Sequence, residues 1–169
     1  MEPLIRRATA ADAEAGAWCH LLCWREAYAG LVDPERLLER TSDLERRTER
    51  WVSYIARDLV VWIAENPDPG ASTEETVIGF SMPGPARDED APTPLELYAI
   101  YARQNWWGTG LGSRLLDVAI GKEAASLWVF ERNERSLAFY AKHGFAADDG
   151  SSEDPFFGLT EIRMVRPAQ

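Results

Sequence analysis

Residues 95–133 limit the folding choices of this chain more than any other stretch. LELYAIYA (95–102) is an apolar, strand-forming run, and SLWVFERN (126–133) is another. Between them, QNWWGTGLGSRLL (104–116) leads through glycines into an amphipathic helix that runs to about Ala125. Strand, helix and strand joined this tightly close a right-handed crossover, so the two strands lie parallel. Just upstream, LVVWIAE (59–65), the polar turn NPDPGASTEE (66–75) and TVIGFSM (76–82) read as a hairpin, which is antiparallel. A sheet holding both kinds of pairing is mixed.

The remaining segments complete it. LIRRAT (4–9) is a first strand, and Thr9 with Asp12 resembles a capping box for a helix that continues to Tyr28 and stops at Gly30. A second helical stretch spans Pro34 to Arg57, broken near 41–42. PGPARDEDAPTP (83–94) is an acidic, Pro-rich loop; ERSLAFYAKHG (134–144) is a short helix ended by Gly144; weaker strands follow at 145–148 and 159–165. The order is β-α-α-β-β-β-α-β-α-β-β, an α+β arrangement. With 169 residues, 46% of them hydrophobic, and neither repeat nor linker, the expectation is one domain over 1–169.

Charge narrows the partners. The formal net charge of −10, with Lys and Arg scattered among acids, disfavours nucleic acid, whose binding rests on neutralising phosphates. No apolar run reaches the roughly 20 residues of a membrane span, and the start, MEPLIRRATAADAE, does not read as a secretory leader, so a cytoplasmic location and no membrane partner are expected. Cys19 and Cys23, four apart on a helix, read as buried thiols; His20 points to another face and His143 is distant in sequence, so no metal site is expected.

The glycines at 108, 110 and 112 need a reason, because glycine is costly at a helix start. The first N–H groups of a helix have no intrahelical partner and the macrodipole is positive there, so anions bind, and glycines let phosphate oxygens approach. A P-loop would need Gly-Lys-Ser/Thr, whereas Gly112 precedes Ser113-Arg114. A dinucleotide fingerprint would need G-x-G-x-x-G on an early strand, and the spacing is G-x-G-x-G two-thirds along the chain. A coenzyme A pyrophosphate loop and a tight turn without ligand remain.

The strand ELYAIY, the turn WWGTGLGSRLL, the strand LWVFERN and the helix SLAFYAKHGF resemble, in order and spacing, the core of the GNAT N-acetyltransferase superfamily. IRRATAADAEA and WREAYAGLV (24–32) resemble its first strand and helix more weakly. The resemblance implies a mixed, mostly antiparallel sheet of about six to seven strands, splayed between the fourth and fifth and flanked by about four helices. It implies acetyl-CoA as cosubstrate, lying in the splay, with its pantetheine arm along Ile100, Tyr101 and Ala102 and its pyrophosphate on Gly108, Thr109, Gly110, Leu111, Gly112 and Ser113. Trp107 departs from the family's Gln/Arg at that motif position; with Trp106 it is expected to pack the loop on the sheet. A backbone N–H near Ala99 or Ile100 is expected to hold the oxyanion.

Glu96 stands fourteen residues before Gly110, where family members often carry a catalytic acid, and a lone carboxylate in an apolar cleft suits a base for an ammonium substrate. Tyr140 in AFYAKHGF matches the family tyrosine that protonates the leaving thiolate, and Asn133 the position that contacts pantetheine or orients the following helix. Trp24 and Tyr28, with Glu96, are expected at the acceptor site, and Asp33 or Glu35 could add charge for an amine. The expected reaction is direct attack of a primary amine, on a small molecule or peptide, within a ternary complex. Homodimers are common in the family. A CoA-binding regulatory module of the same fold without turnover is the alternative, and a nucleotide-binding protein a third.

Overall fold

In the computed structural model, which describes residues 2–169, the chain forms seven strands and six helices. β1 (Ile5–Arg7) is followed by a 3-10 turn and α1 (Ala13–Tyr28), then α2 (Pro34–Arg40), α3 (Leu44–Ala56), β2 (Trp62–Glu65), the single-turn α4 (Thr73–Thr76), β3 (Val77–Pro85) and β4 (Leu95–Ala102). After a 3-10 turn come α5 (Leu111–Ile120), β5 (Ala125–Phe130), α6 (Glu134–Lys142), β6 (Ala146–Glu153) and β7 (Thr160–Arg166). The sheet order is β1-β2-β3-β4-β5-β7-β6, antiparallel throughout except for the parallel β4–β5 pair. That is the expected mixed architecture.

Local chemistry sets the boundaries. The Asp12 carboxylate accepts the Thr9 N–H at 2.7 Å and its hydroxyl at 2.8 Å, and Arg6 holds it down to a pKa of about 2. The break expected near 41–42 within 34–57 is present, and α3 starts anew because the Asp43 carboxylate caps it by accepting the Arg46 N–H at 2.9 Å. β2 begins only at Trp62, since Asp58 turns the chain with φ 57°. Ser72 and Glu75 cap a turn of helix inside the expected loop. β3 runs on to Pro85, three residues past the expected end at 82, and β6 reaches Glu153.

Two layers flank the sheet. α1 and α3 cover one face, where Trp51 lies against α1 so closely that a Cβ on Gly16 would fall 2.3 Å from its ring. α5 and α6 cover the other through Leu115, Leu116, Ile120 and Tyr140. Cys19 and Cys23 are buried free thiols 3.8 Å apart.

Candidate active site

β4 and β5 pair only at Leu95–Ala125 and Glu96–Ser126. Beyond Glu96 the strands diverge, and a cavity of about 860 Å³ opens between them. β4 carries an irregularity at that point: Met82 pairs with Ala99 but Pro83 with Leu97, so Tyr98 is an extra residue. A bulge reverses the alternation of side chains. Leu97 and Ile100 thereby both face α5, while Ala99 and Tyr101 face α1, the face on which Glu96 also falls.

At one end of the cavity lies the glycine turn. Gly108 and Gly110 have φ of 76° and 90°, a left-handed backbone that side chains resist, and a Cβ on either would meet no atom within 4 Å. The glycines therefore serve backbone shape and leave open space in front of the start of α5. The first intrahelical bond there runs from the Arg114 N–H to the Gly110 carbonyl at 3.2 Å, leaving the N–H groups of 111–113 available. Trp107 donates its indole N–H to the Ala102 carbonyl at 2.7 Å and Trp106 packs on the core beneath α5, so both tryptophans tie the loop to the sheet. The Arg135 guanidinium stacks 3.5 Å over Trp107 and has no ion-pair partner among the described residues. Thr109 and Leu111 do not line the cavity: the Thr109 hydroxyl donates to the Trp106 carbonyl at 2.8 Å, and the Leu111 side chain is core. Ser113 lines it but shares a hydrogen bond with His143 at 3.0 Å.

Tyr140 sits between the two ends. It is buried on the α6 side, and its hydroxyl makes no hydrogen bond to a described residue. Burial raises its pKa well above the ordinary tyrosine value, so it stays protonated. Asn133 caps α6, accepting the Ser136 N–H at 3.2 Å, and lines the cavity.

The other end is aromatic. Trp24, Tyr28, Phe130 and Phe157 pack together, edge to face for Trp24–Phe157 and Tyr28–Phe157 and tilted for Tyr28–Phe130, with ring centroids 4.9 to 5.7 Å apart. The Tyr28 and Tyr101 hydroxyls bond to each other, and burial pushes Tyr101 up to about 12. Glu96 lines this region, is 2% exposed, and is not free: its Oε1 accepts the Arg87 Nε–H at 3.1 Å and an Nη2–H as well, while Oε2 accepts the Arg87 backbone N–H at 3.0 Å. It thus pins the 86–94 loop to β4. Asp33 and Glu35 stay outside the cavity; Asp33 caps α2.

Of the charged cavity residues that escaped the sequence reading, three bear on the substrate and cofactor. Glu161 on β7 lies beside Phe130 in register, and its carboxylate has no hydrogen-bond or ion-pair partner among the described residues. Burial, and then the neighbouring Asp154, push its pKa up to about 7. Arg47 on α3 is 7% exposed and stacks 4.5 Å over Trp24. Arg135 is the third. Glu161 could have been found from alternation in TEIRMVR once β7 had been paired to β5; Arg47, inside ERRTERW, looks like any other member of a solvated charge run.

A strand splay, an open helix start and an unbonded tyrosine hydroxyl in one cavity invite comparison with known proteins. The model of the acetyltransferase (GNAT) family matches residues 24–145. The chain belongs to the GNAT acetyltransferase family. A Mycobacterium tuberculosis protein named as a probable N-acetyltransferase is 30% identical over 153 residues, 85% of this chain and 80% of its own. Among solved structures, the PaiA N-acetyltransferase of Thermoplasma acidophilum in complex with coenzyme A superposes with a TM-score of 0.75 at 21% identity, over 99% of both chains. A GNAT phosphinothricin acetyltransferase of Sinorhizobium meliloti in complex with acetyl-CoA gives a TM-score of 0.67 at 17% identity, over 99% of this chain and 89% of its own. The GNAT fold of this chain and its membership among N-acetyltransferases stand together on these matches.

Proposed function

We propose that this protein transfers the acetyl group of acetyl-CoA to a primary amine, on a small molecule or peptide, by direct attack in a ternary complex. The observation that carries the reading is the single cavity joining the free start of α5, the unpaired edge of β4 and the Tyr140 hydroxyl. The pyrophosphate lies on the N–H groups of Gly112 and Ser113, in the space that Gly108 and Gly110 leave open, with Arg135 beside it. The pantetheine arm runs along Ile100–Ala102, where β4 has lost its β5 partner and offers backbone groups for strand addition. Asn133 holds α6 in place beside it.

The amine must shed a proton to attack. Glu96 is the acid expected from the sequence, but both of its carboxylate oxygens are occupied by Arg87, which obstructs an approaching amine. Glu161 meets the requirement better: unpartnered, in the cavity, with a pKa of about 7. The ammonium gives one proton to Glu161, directly or through water; the freed nitrogen then bonds to the thioester carbon, and its second excess proton leaves to water as the tetrahedral intermediate collapses. The oxyanion is stabilised by a backbone N–H of β4 near Ala99 or Ile100. The C–S bond then breaks and Tyr140 gives its proton to the departing thiolate.

Thiol release from acetyl-CoA in the presence of amine acceptors tests the reading. Amine-dependent release that Tyr140→Phe slows without weakening acetyl-CoA binding supports it. Tight acetyl-CoA binding with no amine-dependent release would favour a non-catalytic CoA-binding module instead.

A further inference from the structure

Arg47 stands apart from the other cations of the cavity. Arg87 is neutralised by Glu96, while Arg135 and Lys142 stand by α6, near the glycine turn. Arg47 lies on α3 at the aromatic end, more than nine-tenths buried, and its guanidinium forms no hydrogen bond or ion pair with any described residue. Its guanidinium stacks on the face of the Trp24 ring. Burial is the main influence on it, its neighbours include the cations Arg50 and Arg46 and the hydroxyls of Tyr54 and Tyr101, and neither Asp154 nor Glu161 of the same cavity forms an ion pair with it. A buried cation without an anion is costly and is kept where something else supplies the anion. The guanidinium fork matches a carboxylate in two parallel hydrogen bonds, and the Trp24 ring fixes its plane.

Resting on the acetyl-transfer reading above, we propose that the acceptor is an amine that also carries a carboxylate, with Arg47 holding that carboxylate at the Trp24 end of the cavity while the amine faces the thioester. One unmatched positive charge fits one negative group. The net charge of −10, which by itself leans toward purely cationic acceptors, lies mostly on the outer surface and does not set the polarity beside Arg47. Tyr28, Phe130 and Phe157 form the apolar wall between that end and Glu161, so the acceptor's body is apolar between its two charged ends.

The test is a panel of α- and ω-amino acids, each paired with its own carboxamide, assayed by thiol release from acetyl-CoA, with acetyl-CoA binding measured separately by calorimetry. A kcat/KM at least about tenfold higher for the carboxylate member is expected, carried by KM, since a charged hydrogen-bonding site rejects the neutral analogue. Arg47→Gln should remove the preference while the Kd for acetyl-CoA stays as in the wild type, and Arg47→Lys should restore part of it. Arg47→Met should raise Tm in the absence of acceptor, because it removes the unpaired buried charge. Equal turnover of acid and amide, turnover of plain polyamines alone, or acetyl-CoA binding with no panel member acetylated would overturn the proposal. Failure to bind acetyl-CoA would instead overturn the acetyl-transfer reading beneath it.

Discussion

Replacing Glu161 with Gln isolates the chemistry assigned to that carboxylate. Gln keeps the shape and mimics the protonated acid. The wild-type group moves from an ordinary 4.5 to about 7, first through burial and then through Asp154, with Glu96 adding to the rise and Arg87 opposing it. Because the folded state holds this proton more tightly than the unfolded chain, the contribution of Glu161 to folding stability is fully present below pH 4.5 and is lost as pH rises through 7. At about 1.4 kcal/mol per pKa unit the ceiling is ~3 kcal/mol, and solvent screening at a partly exposed group brings it to about 1 kcal/mol. Glu161→Gln should therefore match the wild type in denaturant melts near pH 4 and exceed it by about 1 kcal/mol at pH 8. In the thiol-release assay the wild-type kcat/KM should climb through a limb near pH 7, and the variant should lose that limb along with roughly 10²–10⁴-fold of rate. A variant with wild-type rate and an unchanged pH limb would refute the assignment, and the same loss in Glu96→Gln but not in Glu161→Gln would return the base role to Glu96.

Other perturbations have defined outcomes. Arg135→Ala should weaken acetyl-CoA binding several-fold, roughly 1 kcal/mol, and flatten the salt dependence of Kd in calorimetry. Arg87→Ala strands the buried Glu96 carboxylate and should lower stability by about 3 kcal/mol in chemical denaturation, with a smaller loss for Arg87→Lys. Gly16→Ala drives a methyl into Trp51 and should cost about 1–3 kcal/mol, read as a lowered Tm, with no direct effect on acetyl-CoA affinity.

The crossover from β4 through α5 to β5 was legible because its signals are local: alternation, a glycine-marked helix start, a second apolar strand. So were the roles of Trp106 and Trp107 as loop anchors, whereas Asn133, which the resemblance implies contacts pantetheine or orients the following helix, turns out to cap α6. What escaped depends on register between distant segments. The bulge at Tyr98 decides which face Tyr101 joins, and nothing in LELYAIYA marks it. Glu96 looked isolated because its partner, Arg87, sits in a loop whose path over β4 no periodicity reveals. Glu161 reaches the cavity only because β7 inserts between β5 and β6, a strand order that sequence adjacency argues against. Arg47 owes its burial to the packing of α3 on α1, and the same residues on a solvated helix would read identically.

Acetyl transfer by this chain requires acetyl-CoA to seat its pyrophosphate on the open start of α5. The most direct measurement is calorimetric titration of acetyl-CoA into the wild-type protein and into Gly110→Glu, whose folding is checked by circular dichroism, with ATP titrated in parallel. Micromolar binding to the wild type, lost in the folded variant and not reproduced by ATP, is the expected result. Binding that survives a carboxylate at position 110, or no binding by the wild type, would rule out a pyrophosphate site at the start of α5.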